Sequence, residues 1–271
     1  MQWSDALGKS HEQYQGTPRI VSLVPSLTEL LVALDLAEAL VGRTGFCIHP
    51  RQVVRRVAKL GGTKGFAIDK LRALRPTHVL VNIDENRREE VEALSGFVPH
   101  LIVTHPLTAL DNLTLYRLLG GIFKRETQAA ALCADFAREW SALCLLAKTL
   151  PRQRVLYLIW REPWLSVARD TYISRMLASA GWDTLPIESP VRYPQIDLPA
   201  LAAEADIVFL ASEPYPFREP HRRQLATLLP GTRSVLIDGE MVSWYGNRAI
   251  QGLAYLRELR ASLADATFTV T

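Results

Sequence analysis

Cysteine is scarce in this chain: three residues in 271, at Cys47, Cys133 and Cys144. A set so odd and sparse excludes a disulfide framework. Cys133 and Cys144 lie in one helical stretch, 11 positions and so roughly 16 Å apart, beyond disulfide reach. Small, buried apolar side chains account for both. Long apolar runs are missing too; none approaches the ~20 residues that a membrane helix needs. Charge of one sign is not in excess. Lys and Arg number 31 against 28 Asp and Glu, for a net charge of +3, so nothing compels a nucleic-acid partner. The arginine-rich stretches Arg51–Arg56 and His221–Arg223 read as solvated helix faces. Phosphate-loop spacing is absent around Gly61-Gly62-Thr63-Lys64, and no Gly-x-Ser-x-Gly nucleophile turn occurs. The amino-terminal stretch MQWSDALGKSHEQYQGTP is polar and lacks the apolar centre of a signal peptide. Read as a native start, it predicts a cytoplasmic protein. Read as what remains after removal of an export signal, it predicts a periplasmic or lipid-anchored one.

What is present is an internal duplication. Arg19–Leu34 reads as strand, turn and helix, and Arg154–Leu177 opens a second unit of the same kind. Leu71–Asn82 runs from a short helix into a strand, and Leu198–Ser212 repeats that order. Short apolar strands alternating with helices imply parallel pairing. Expected strands are Ile20–Val24, His78–Val81, His100–Val103, Val155–Ile159, Ile207–Leu210 and Ser234–Ile237. Ser26 is placed to cap a helix Leu27–Leu34, with Glu29 completing a capping box. Leu132, Phe136, Trp140, Leu143 and Ala147 form one apolar face of a long helix, roughly Arg125–Leu146, stopped by Pro151. The expected fold is therefore α/β: two similar lobes with parallel-type sheets, joined by one long backbone helix, with a ligand cleft between lobes. The expected boundaries are a polar extension over 1–17, a first lobe over 18–123, the connecting helix over 124–150 and a second lobe over 151–271.

Ligands of parallel α/β units bind beyond the carboxyl ends of the strands. In the first lobe those positions hold Pro25, Ser26, Arg43, Phe46, His49, Glu85 and Asn86. In the second they hold Trp160, Trp164, Arg192, Tyr193, Tyr215, Trp244, Tyr245 and Arg248. Half of the six tryptophans fall in these loops with three tyrosines, which favours a large, flat, partly apolar ligand, and Trp244 is the expected central anchor. Cys47 and His49 form a weak metal pair, since zinc needs three or four ligands. Asp84, Glu85, Glu162 and Glu213 read as solvated rim charges before they read as acid and base.

Arg19–Leu34, then VGRTGFCIHP, the Gly61-Gly62 break and RPTHVLVN together resemble the helical-backbone solute-binding proteins of ABC importers, whose members serve cobalamin, haem, ferric siderophores and some free metal ions. The loop Ser189–Ile196 is similar to that of the cobalamin-binding members. The resemblance implies a non-catalytic monomer that binds a corrinoid or a related metal chelate near Asn86, Trp160, Tyr193 and Trp244, with no catalytic cofactor. It also implies an ABC permease partner that docks on acidic residues, here Glu89 or Glu90 in the first lobe and Glu204 in the second, although Arg87 and Arg88 would oppose a basic partner. Two other classes stay open: a cytoplasmic carrier or sensor of such chelates, and a tetrapyrrole-modifying enzyme.

Overall fold

The computed structural model describes residues 2–265 and divides the chain into two compact units. The first is built from three stretches of chain, 1–106, 110–135 and 245–248; the second holds the rest. Residues 266–271, at the end of the expected second lobe, and Met1 lie outside the described residues.

The first unit opens with a small antiparallel hairpin, β1 (Trp3–Ser4) and β2 (Ser10–His11). Then come β3 (Ile20–Ser22), α1 (Pro25–Ala33), β4 (Leu40–Arg43), α2 (Arg51–Val54), β5 (Ala58–Lys59) and α3 (Ile68–Ala73). The unit continues with β6 (His78–Asn82), α4 (Arg88–Leu94), β7 (His100–Thr104) and α5 (Asp111–Ile122). Its sheet has the order β5-β4-β3-β6-β7, and every pairing is parallel. The central strands β3 and β6 are buried along their whole length, as strands covered on both faces must be.

Helix α6 (Glu126–Thr149) begins in the first unit and ends in the second, with Phe136 and Leu143 fully buried on the apolar face expected from sequence. The second unit then runs β8 (Gln153–Leu158), α7 (Tyr172–Ser179), β9 (Trp182–Leu185), α8 (Leu198–Glu204) and β10 (Ile207–Ala211). It closes with α9 (Glu219–Leu228), β11 (Ser234–Ile237), α10 (Gly239–Ser243) and α11 (Arg248–Asp265). The parallel sheet order is β11-β10-β8-β9. Gly181 follows α7 at φ +84°, the left-handed position where glycine ends a helix without strain. Among the described residues no helix is long and apolar enough to cross a membrane.

Two local expectations are corrected. Helix α1 starts at Pro25, and neither Ser26 nor Glu29 caps it; proline at the first turn supplies the right φ and needs no donor partner. The residues before Pro18 are no loose extension. Trp3 lies against α5 at Gly121, where a Cβ would collide with the indole, so glycine at that position is what admits the ring.

The same amino-terminal segment covers the start of β6 and β7. His78 and His100 are register partners with rings stacked at 4.6 Å, and Tyr14 and Phe123 meet His78 edge-on at 4.7 and 4.8 Å. His11 pairs with Asp5 at 3.1 Å beside them. Burial, reinforced by the charges of His100 and His11, holds the His78 imidazole down at about 3. The unfolded chain binds a proton there from about pH 6.5 downward that the folded chain refuses, so stability is full above that pH and falls toward pH 3. Each tenfold difference in proton affinity between the two states is worth about 1.4 kcal/mol. Urea unfolding at pH 7 and at pH 4 is therefore expected to differ by a few kcal/mol, and the difference to be much reduced in His78→Phe. Parallel pH profiles for the two proteins would contradict this assignment.

Candidate functional site

In the second unit the carboxyl edge of the sheet carries an aromatic platform. Trp160 follows β8 and is held by backbone bonds on both sides: Ile159 N donates to Leu165 O at 3.0 Å and Leu165 N to Trp160 O at 3.2 Å. The irregular loop carrying Arg192 and Tyr193 is laced to the same segment. Ser166 N reaches Pro194 O at 3.0 Å, Ala168 N reaches Arg192 O at 2.8 Å, and Ile196 N reaches Trp164 O at 3.0 Å. Tyr215, after β10, ties in through its backbone N–H to Ile159 O at 3.2 Å. The backbone therefore brings Trp160, Trp164, Arg192, Tyr193 and Tyr215 to one edge from separate loops.

The rings pack in a graded way. Trp160 meets Tyr215 edge-on at 5.6 Å, Tyr215 lies 4.6 Å from Phe217, and Trp164 stacks on Phe217 at 6.1 Å. His221 packs against both Tyr215 and Phe217. Its Nδ1 accepts from Arg218 N at 2.9 Å, which puts the ring proton on Nε2, facing the Tyr215 hydroxyl at 3.3 Å. Phe217 is buried, whereas Trp160 is 40% and Tyr193 46% exposed. An inner layer of rings thus supports outer rings that face solvent. Phe217 and His221 are not among the residues expected from sequence; an aromatic two residues after Tyr215, and a histidine one helical turn beyond it, are the available signals.

Several predicted contacts prove to be structural. Trp244 is half-buried, and its indole N–H donates to Glu213 Oε1 at 2.8 Å; the Ser243 hydroxyl donates to the same oxygen at 2.6 Å. Burial raises the Glu213 carboxyl above its ordinary range, opposed by these two hydrogen bonds. Tyr245 is buried in the first unit, where its hydroxyl donates to Glu85 at 2.9 Å, and burial pushes its ionisation well above the usual tyrosine value. Arg248 is also buried there, in a two-pronged pair with Glu29 at 2.8 and 2.9 Å. Tyr245, Arg248 and Glu85 are thus ties within the first unit and not an open ligand surface. Arg192 is drawn to Asp170, with an Nε–Oδ2 distance of 3.6 Å.

The first unit's carboxyl edge is different. Pro25 opens α1, and Ser26 is buried beneath it. Asn86 is also buried and its amide is committed: Nδ2 donates to Thr63 O at 2.8 Å, and Oδ1 accepts from Asn82 N at 2.9 Å. These bonds tie the loops after β3 and β5 to the end of β6. Phe46, 61% exposed, projects from the loop after β4, with His49 half-buried beyond it. Cys47 between them is fully buried, with Thr28 Oγ1 donating to its sulfur at 3.0 Å, and burial raises the thiol. Its sulfur is engaged by the Thr28 and Thr44 hydroxyls, and among the described residues no group of three His, Cys, Asp or Glu side chains could hold a metal ion. Of the predicted docking acids, Glu89 and Glu204 are exposed, while the Glu90 carboxylate accepts from Gly65 N at 2.9 and 3.1 Å.

Comparison with known proteins gives concordant results. A family model described as a periplasmic binding protein matches residues 20–222. The chain is 22% identical over 196 residues, 72% of its length and 71% of the relative's, to a vitamin B12-binding protein of Pectobacterium carotovorum. Among solved structures, the periplasmic vitamin B12 binding protein of Vibrio cholerae superposes with a TM-score of 0.77 at 16% identity, covering 90% of this chain and 96% of that one. A periplasmic heme-binding protein of Roseiflexus sp. RS-1 superposes with a TM-score of 0.74 at 21% identity, covering 93% and 99%.

The roles of Trp244 and Glu213 can be separated from ligand contact by a stability measurement. Trp244→Phe keeps an aromatic ring, though a smaller one, and removes one of the two donors to a largely desolvated carboxylate, so it is expected to cost about 1–2 kcal/mol in urea unfolding at pH 7. Unchanged stability would mean that the indole N–H is not structurally engaged.

Proposed function

The chain belongs to the periplasmic binding protein family, and from that membership we propose that it binds a metal chelate of the corrinoid kind and presents it to the permease of an ABC importer. It is a binding protein of a non-catalytic family. The tetrapyrrole-modifying enzyme considered from sequence is accordingly set aside. The observation that carries the chelate reading is the tiered aromatic edge of the second unit. Solvent-facing Trp160 packs on Tyr215, which leads through Phe217 to Trp164, and Tyr193 is exposed on the loop bonded to the same segment. Aromatic faces of this extent, with the base rigid and the outer rings open, suit a broad planar ligand bound without covalent chemistry. The names of the relatives, vitamin B12-binding and heme-binding, support the same class of ligand.

On the first unit, Phe46 and His49 are the side chains we assign to ligand contact, and Pro25 and Ser26 to shaping the surface beside them. For permease docking the proposal keeps Glu89 and Glu204, which are exposed, and drops Glu90 from a direct role because its carboxylate already serves the Gly65 amide. The family name supports the periplasm, the alternative offered by the amino-terminal reading, and nothing favours the cytoplasmic carrier.

Titration with a panel of a cobalamin, haem and a ferric siderophore, read by tryptophan fluorescence, tests the proposal. A cobalamin is expected to quench saturably, and Trp160→Ala to weaken that binding by at least about 1 kcal/mol, or fivefold, as befits an anchor ring. Failure of every member of the panel to quench would remove the chelate reading.

A further inference from the structure

The first unit contains a cavity that shares only His49 with the ligand contacts assigned above. It is formed where β4, the loop after it, α2 and β5 meet, and it measures about 470 Å³. Arg43, His49, Arg51, Arg55 and Lys59 line it, and its lining contains neither aspartate nor glutamate. In a chain whose overall charge is only +3, four permanent cations around one hollow are a concentrated field. Mutual repulsion among them is relieved most simply by an anion.

The cations are held for that task to different degrees. Arg43 is fixed: its Nε donates to Val54 O at 2.7 Å and its Nη1 to Thr44 O at 2.9 Å. Two of its nitrogens are thereby anchored in a residue that lines the cavity. Lys59 lies across Gly45, where a Cβ would come within 2.6 Å of Cε and 3.2 Å of Nζ. Glycine at this place is what lets the ammonium fold inward over the loop. Arg51 opens α2 and Arg55 follows its last residue, one turn on; both are exposed and both line the hollow. No carboxylate engages Arg51, Arg55 or Lys59 among the described residues.

We propose that this cavity is a binding site for a small organic polyanion, one carrying a phosphate or several carboxylates, separate from the chelate. Guanidinium forks match the oxygen geometry of phosphate and carboxylate, and an anchored arginine beside exposed ones gives both orientation and reach. The volume exceeds what a single inorganic oxyanion fills and falls in the range of pockets for small organic ligands. The basic stretch Arg51–Arg56, which from sequence reads as a solvated helix face, thereby acquires a role for two of its residues.

The test uses calorimetric titration of the full chain at low ionic strength with citrate, glycerol 3-phosphate and inorganic phosphate as probes. Saturable one-to-one binding of citrate or glycerol 3-phosphate is expected, tighter than for inorganic phosphate and weakened by added salt. The variants Arg51→Glu/Arg55→Glu and, separately, Lys59→Met should each lose at least tenfold in affinity while melting as the parent does. Cobalamin quenching measured on the same variants should be unchanged, which separates this proposal from the chelate reading. Absence of saturable binding by all three probes would overturn it, as would probe affinities that the variants leave intact.

Discussion

The pair formed by Arg248 and Glu29 is the constraint on which the first unit's architecture turns. Both side chains are removed from water, at 9% and 14% exposure, and they meet in a two-pronged contact at 2.8 and 2.9 Å. Neither charge is tolerable there alone, because a buried ion without its partner costs several kcal/mol. The pair sits at the end of a four-residue return, Tyr245–Arg248, that the chain makes into this unit. The rest of that return is equally bound. Gly246 N donates to Asn112 Oδ1 at 2.6 Å, the Tyr116 hydroxyl donates to Gly246 O at 2.8 Å, and the Tyr245 hydroxyl donates to Glu85. Gly246 adopts φ +77°, and a Cβ there would crowd Leu30 and Ser26 at 3.2 Å, so only glycine fits both the backbone and the space.

That pair also explains where local sequence patterns mislead. Ser26 followed by Glu29 has the spacing of a capping box, and Pro25 followed by a run of leucines is a good helix start. The helix is real, but the glutamate answers to an arginine 219 positions away, a partner that no window of sequence can reveal. Arg248 and Tyr245 follow a strand by a short interval, the position of ligand contacts; their burial is likewise a long-range fact. The strands are legible because buried parallel strands are short, continuous apolar runs. Ser234–Ile237 has the ends expected for it, and the other predicted strands agree within one or two residues. The two-residue strands Trp3–Ser4, Ser10–His11 and Ala58–Lys59 are too short for any period to show, and α9 buries only Leu225.

Partial legibility of the candidate site has a physical origin. The rule that ligands meet the carboxyl ends of parallel strands locates the right loops but says nothing about which side chain in a loop is spent on the protein itself. Asn86, Cys47 and Trp244 are spent, on backbone carbonyls and amides, on threonine hydroxyls and on a buried carboxylate. Trp160, Tyr193 and Phe46 keep large exposed faces. The difference follows from whether a polar atom is forced under cover, where it must find a partner, or left at the rim. Sorting ring by ring in this way moves the expected anchor from Trp244 to Trp160, and it leaves the basic hollow beside β4 as a feature with a separate logic of charge.

A double-mutant cycle on Glu29→Gln and Arg248→Met, read by urea unfolding at pH 7, measures how far the two buried charges depend on each other. If the buried pair organises the unit, each single variant is strongly destabilised, and the double variant recovers at least about 1.5 kcal/mol relative to the sum of the two. A sum that is simply additive would show that the two charges do not depend on each other and would contradict the account.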